Sequence, residues 1–345
     1  DYSPYALYAR QNAFYYVSGR NITLNGSLFA ENTSTRDHTD HLGIYMKAAG
    51  DVSIKSKHSW DNGIYSYGAN RVEIEAGGNL SLEGSVFTES SSCDDRGNTL
   101  LLKAGGNVTA TSTRDNAFYA HSRGSGTIEA GGDIRFAKDG GGRDSIFIQG
   151  AENDSGRTQY GYSLTLKGRN ISAGDVDVQS HAFLAATATG DVSFNSLLLD
   201  DDSSPLEGFE ASGITLTGEG STFALSGRTS GYSNNSHSLE VRQNKSLTVS
   251  ADNILISQGI AVDEAGGLAL NARRSLTVSR SENERNIDSL RDSSGRLRNS
   301  AAIHWINGSG DRDGRAVFGS TGAEVTINGR VLFNDFSRDG ASTIT

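Results

Sequence analysis

The chain has 345 residues, a net charge of −10, 21% charged residues and only 35% apolar ones, a balance that suits a thin structure with much surface rather than one dense globule. The acidic excess disfavours nucleic acid and anionic membrane as main partners, because phosphate binding needs clustered Lys and Arg. A single cysteine, Cys93, excludes an intrachain disulfide, and no stretch approaches the roughly 18 apolar residues of a membrane-spanning helix.

Taken in chain order, the predicted elements repeat one another. YALYARQNAFYYVSGRN from Tyr5 reads as short alternating strands ending at a corner, and GSLFAENTS follows at Gly26. YMKAAGDVSIKS begins at Tyr45, RVEIEAGGNLSLEG at Arg71, LLLKAGGNVTATS at Leu100, TIEAGGDIRFAK at Thr127 and LTLKGRNISAGD at Leu164. Each is an alternating strand, a small-residue corner with Asn or Asp, and a second alternating strand. The first apolar residue after each corner marks the period: Ile22, Val52, Leu80, Val108, Ile134, Ile171, Val192, then Phe223, Leu247 and Leu276. The first intervals are 30, 28, 28 and 26 residues, the signature of a solenoid.

A longer period overlies the first. Tyr8, Tyr65 and Tyr119 precede Asn21, Asn79 and Asp133 by 13, 14 and 14 residues, and GSLFAENTS matches GSVFTESSS at Gly84. The unit is therefore a pair of turns, duplicated in tandem. Tight hairpin loops are few and helical periodicity is nearly absent, so the expectation is an all-β, right-handed parallel β-helix of roughly ten to twelve turns, with loop excursions. It is expected to form one domain over 1–345, with an irregular insertion near 280–300, where Ser281 and Glu284 make a possible capping box. Gly at the corners is expected to supply positive φ, which Asn or Asp tolerates next best, and stacked Asn side chains to bond from turn to turn. The chain begins at Asp1 without a signal peptide and reads as a piece of a longer exported protein.

At AGGNLSL and AGGDIRF the sequence resembles the passenger domains of bacterial autotransporters and related two-partner haemagglutinin-type exoproteins, over most of residues 14–280 and more weakly 301–341. The resemblance implies export across a Gram-negative envelope and display at the cell surface, anchored through an outer-membrane domain not among these residues. Many members are adhesins or mediate self-association. The implied partners are a host-surface glycan or protein, or an identical passenger on another cell, with no nucleic acid and no direct membrane insertion. Two other readings are a carbohydrate-active β-helix enzyme, of the polysaccharide lyase, hydrolase or tailspike-like kind, and a passive stalk.

The residues themselves offer three candidate surfaces. Tyr8, Tyr65 and Tyr119 each follow an apolar, inward residue and should face outward on equivalent strands, with Phe147 continuing the row. Exposed aromatics stack on sugars or anchor a protein partner, and they also serve as a structural ladder. Spaced two turns apart, roughly 10 Å, these tyrosines are too distant to stack on each other. The loops 30–42, 88–98 and 137–144 are expected to interrupt equivalent corners and project from one edge, carrying Asp37, Asp40, Asp94, Asp95, Asp139 and Asp144; LLLDDDSSPLEG adds Asp200, Asp201 and Asp202. Carboxylates at this density suit calcium or glycoside hydrolysis, or are simply solvated. No metal or other cofactor is expected beyond that calcium option: HTDH at His38–His41 lacks a second cluster, and NGSGDRDG at Asn307–Gly314 lacks the closing Glu of a calcium loop. NDSG at Asn153–Gly156 lacks the preceding Gly of a serine-protease signature, and no phosphate-binding or hydrolase motif is present.

Overall fold

A computed structural model describes residues 5–10, 14–32, 43–57, 62–68, 70–90, 97–113, 116–138, 145–152, 159–200, 211–227, 237–242, 245–263, 267–280, 301–307, 315–320, 322–335 and 343–344. It is all-β, and each strand pairs in parallel with its counterpart in the next turn, as in a β-helix. The described residues contain one antiparallel pair, Ala151–Glu152 with Gln159–Tyr160, a small excursion from the winding. No helix among them is long and apolar enough to cross a membrane.

The chain divides into two compact units, one built mainly from residues 1–174 and the other mainly from 187–205 and 210–345. In the first unit each turn carries three strands. Row one contains Phe14–Gly19, Gly43–Ala48, Arg71–Ala76, Asn98–Ala104, Gly124–Ala130 and Tyr162–Gly168. Row two contains Ile22–Asn25, Val52–Lys55, Leu80–Glu83, Val108–Ser112 and Ile134–Lys138, and then Ile171. Row three contains Tyr5–Arg10, Ser27–Asn32, Asn62–Gly68, Ser85–Glu89, Phe118–His121 and Ile146–Gln149. Alternation sends every second residue inward. Ile22, Val52, Leu80, Val108, Ile134 and Ile171 therefore stack as one buried file, in register from turn to turn.

The second unit keeps the three rows. Its row two runs Val192, Phe223, Ile254, Leu276 and Val325. The sequence reading put Leu247 in this file, but Leu247 belongs to row one, opposite Ser212 and Leu268. Ser246–Ile256 runs as one strand through the corner, which is a bulge at Ala251–Asn253 rather than a Gly pair, so the marker slipped by one row.

The corner Asn and Asp residues form the expected turn-to-turn ladder, while the corner glycines are needed for a different reason. Asn21 Oδ1 accepts the Asp51 N–H at 3.0 Å, Asp51 Oδ1 that of Asn79 at 2.7 Å, Asn79 Oδ1 that of Asn107 at 2.9 Å, and Asn107 Oδ1 that of Asp133 at 2.8 Å. Positive φ is not the requirement at these corners: the only non-glycine residues with positive φ among those described are Ser122 and Ser180, and Gly77, Gly78, Gly105 and Gly106 have none. Crowding is the requirement. A Cβ at Gly78 would lie 2.2 Å from Asp51 Oδ1, and one at Gly106 2.5 Å from Asn79 Oδ1; one at Gly105 would lie 2.2 Å from the Gly77 carbonyl oxygen. The same side-chain oxygen that bonds the next turn's backbone thus occupies the space a side chain would need.

Candidate functional site

The aromatic residues of row three form a continuous column on the outside of the first unit. Register places Tyr8, Phe29, Tyr65, Phe87, Tyr119 and Phe147 side by side on successive turns. Their neighbours Leu28, Ile64, Val86, Phe118 and Ile146 point inward and are fully buried. Ring centroids are 5.0 Å apart for Tyr8 and Phe29, then 4.6, 4.9, 4.7 and 5.2 Å along the column, and from Phe29 onward the planes lie within 10° of parallel. Tyr5 adds a further ring against Tyr8 at 5.5 Å.

This corrects the picture of isolated tyrosines too far apart to stack. The two-turn spacing of Tyr is right, but Phe29 and Phe87 fill the turns between. The signal was available in GSLFAENTS and GSVFTESSS, which place those two phenylalanines in one frame. The stacking decides what the column presents. Ring faces are consumed by each other, so the surface shows ring edges, which carry the positive part of the aromatic quadrupole, and the hydroxyls of alternate turns.

A second column flanks the first, two residues along each strand: Arg10, Glu31, Tyr67, Glu89, His121 and Gln149. Glu31 and Glu89 stand on the Phe turns, one step from the tyrosines. The Tyr8 hydroxyl donates to Glu31 Oε2 at 3.0 Å, and His121 Nδ1 lies 3.8 Å from Glu89 Oε1. Burial against the stack, then the Glu89 charge, pushes the Tyr65 hydroxyl up to about 12, so it stays a neutral donor throughout the physiological range.

Row one carries a different exposed file, Lys47, Glu75, Lys103, Glu129 and Lys167, alternating in sign from turn to turn. Lys47 Nζ lies 3.1 Å from Glu75 Oε2, and Lys167 Nζ 3.0 Å from Glu129 Oε1. Four of these five charges are paired within the surface, so this file pins register more than it offers a ligand a field.

The acidic loop candidates Asp37, Asp40, Asp94, Asp95, Asp139, Asp144, Asp201 and Asp202 lie outside the described residues, as do Cys93, HTDH and the segment 281–300. Their flanking strands still correct one expectation. Residues 33–42 and 91–96 follow row three, whereas 139–144 follow row two, so the three segments do not share one corner. Asp200 is described: its Oδ2 accepts from Arg242 Nη1 at 3.1 Å, and Arg242 also pairs with Glu240.

That ion triad belongs to a feature alternation did not reveal. Leu198, Glu240, Ala261 and His304 are in register on successive turns of the second unit, on the side opposite the core file Leu197, Leu239, Ile260 and Ile303, yet all four are buried. His237 donates its backbone N–H to Glu240 Oε1 at 3.1 Å, and its ring lies 6.2 Å from that of His304. Burial, then the Arg280 charge, lowers the pKa of His304 and keeps it neutral at pH 7. Among the described residues no three His, Cys, Asp or Glu side chains converge as a metal site.

The chain matches no protein-family model, no curated protein and no solved structure.

Proposed function

We propose that this chain is the binding part of a secreted, cell-surface adhesin of the autotransporter-like kind, attaching its cell to a host-surface glycan or protein or to an identical chain on another cell. The observation that carries the reading is the outward column Tyr8, Phe29, Tyr65, Phe87, Tyr119 and Phe147 with its file of polar neighbours. A repeated surface lets many weak contacts act together, which suits attachment better than turnover. The Asp200–Arg242–Glu240 triad is the one observation favouring an enzyme, but a single guanidinium holds both carboxylates, which ties them up as a structural ion group.

The test displays the chain on bacteria and compares cell attachment and autoaggregation with a Tyr8→Ala, Tyr65→Ala, Tyr119→Ala variant. The variant keeps its inward files and Gly corners, so it should retain a β-rich circular dichroism spectrum and lose attachment. Attachment equal to the parent's would remove the column from the account. Release of reducing ends from a polysaccharide by the parent would replace the adhesin reading with the enzyme one.

A further inference from the structure

Resting on the reading of the row-three column as a binding face, we propose that its ligand is a neutral, linear, β-linked polysaccharide lying along the column, across successive turns, with one disaccharide spanning two turns. Four observations converge on that class. The first is translational. Tyr hydroxyls recur on every second turn, and Glu31 and Glu89 recur on the turns between, one file over. Two strand spacings amount to roughly 10 Å, and the disaccharide repeat of an extended β-1,4-linked glycan is of the same length. A globular host protein has no such repeat to match.

The second is the kind of hydrogen-bonding group. Tyr8 and Tyr65 supply neutral hydroxyl donors, and Glu31 and Glu89 supply carboxylate acceptors beside them. Sugar hydroxyls both donate and accept, so one glycan chain can satisfy both sets, and the Tyr8–Glu31 pair shows that the two groups already lie within bonding reach. The third is charge. The flanking file holds Glu31 and Glu89 against Arg10, in a chain of net charge −10, which opposes sulfated or uronic polymers. The fourth is the stacking itself. Ring faces are occupied, so sugar rings cannot lie flat on individual aromatics; they cross a ridge of ring edges, whose positive rim faces the ring and glycosidic oxygens.

The experiment titrates the full chain by calorimetry with cello-oligosaccharides and N-acetylated chito-oligosaccharides, each as disaccharide and as hexasaccharide, with heparin and polygalacturonate as anionic comparators. The decisive variant is Tyr8→Phe, Tyr65→Phe, Tyr119→Phe, which keeps every stacked ring and deletes only the hydroxyls. The expected result is binding of a neutral hexasaccharide at least about tenfold tighter than its disaccharide. The triple-Phe variant should weaken that binding about tenfold, as expected for several lost hydrogen bonds, with an unchanged melting temperature. Affinity independent of length, preference for an anionic polymer, or a triple-Phe variant that binds like the parent would each overturn the proposal. If cells displaying the parent still attach while no neutral glycan binds, the ligand class is wrong and the binding reading stands. If neither attachment nor glycan binding occurs, the column is a ladder only and both fall.

Discussion

The two units build the same three-row winding with different corner chemistry. In the first, the corner between rows one and two is closed by Gly pairs and an Asn/Asp ladder whose side chains bond the next turn's backbone. In the second, Asp191 Oδ1 still accepts the Thr222 N–H at 2.8 Å, but long strands such as Ser246–Ile256 and Gly267–Ser279 run through the later corners. There Asp252 takes over: it accepts the Gly220 N–H at 2.6 Å and bonds Arg273 Nε at 2.5 Å and Arg274 Nε at 3.1 Å. Periodic corners leave a regular exterior, on which side chains fall into files. Aperiodic, ion-paired corners go with an exterior whose outward file is covered. The lesson is that a β-helix needs its inward files to repeat, while its corners are free to be solved one at a time.

The largest expected effect is the one the units share. Leu80→Asp in the first and Leu276→Asp in the second each put a carboxylate into the row-two file of its own unit, at 1% and 0% exposure, and should each cost several kcal/mol in denaturant melts. A mild effect in only one unit would show that its inward file is misassigned.

The next effect separates corner glycines from one inside a strand. Gly105→Ala would place a methyl 2.2 Å from a backbone oxygen of the previous turn, which cannot move without breaking the ladder; a loss of about 2–4 kcal/mol is expected. Gly218→Ala at a corner of the second unit would meet the Thr189 carbonyl oxygen at 1.7 Å and should cost as much, but Gly213→Ala, inside the strand Ser212–Leu216, meets nothing nearer than 4.0 Å and should stay within about 0.5 kcal/mol of the parent. Equal losses at Gly105 and Gly213 would mean that crowding does not explain the corner glycines.

Acid should then sharpen the difference. Hydrogen bonds from the Gly220 backbone and from Arg273 hold Asp252 below its ordinary pKa, and Arg169 does the same for Asp133. A depressed folded pKa gives stability that is fully present above the unfolded value, about 3.9, and is lost as pH falls through the folded one. The corners at Asn79 and Asn107 have no proton to gain. Hydrogen exchange compared at neutral pH and at about pH 3 should therefore show amides near Gly220 opening before those near Gly106, and Asp252→Asn should flatten the pH dependence there. The smallest effect is expected in the row-one charge file. Glu75→Lys would put like charges between Lys47 and Lys103 and cost at most about 1 kcal/mol, shrinking as salt is added.

What the sequence disclosed follows the same divide. The period of Ile22, Val52, Leu80, Val108 and Ile134 was readable because alternation and Gly corners coincide on each turn. It failed at Leu247, where Ala251–Asn253 turns the strand without glycine. The turn-to-turn bonding of the corner Asn and Asp residues was recognised, but the Gly pairs beside them were given the wrong cause, because the crowding lies between turns and no single turn contains it. Four of the six rings of the aromatic column were found, since Phe29 and Phe87 match Tyr only once turns are laid on one another. The buried outward file at Glu240 and His304 was not readable at all, because alternation assigns direction and says nothing of what covers a face.

The central claim is that the row-three column of the first unit is the contact surface, and side-chain footprinting tests it most directly. Hydroxyl radicals oxidise exposed aromatic and aliphatic side chains, and oxidation is read residue by residue with the chain free and with it attached to its target cells. The account predicts that Tyr8, Tyr65, Phe87 and Tyr119 lose reactivity on attachment, while Leu255 and Val325, exposed in the second unit, keep theirs. Protection of Leu255 and Val325 with an unprotected column would contradict it.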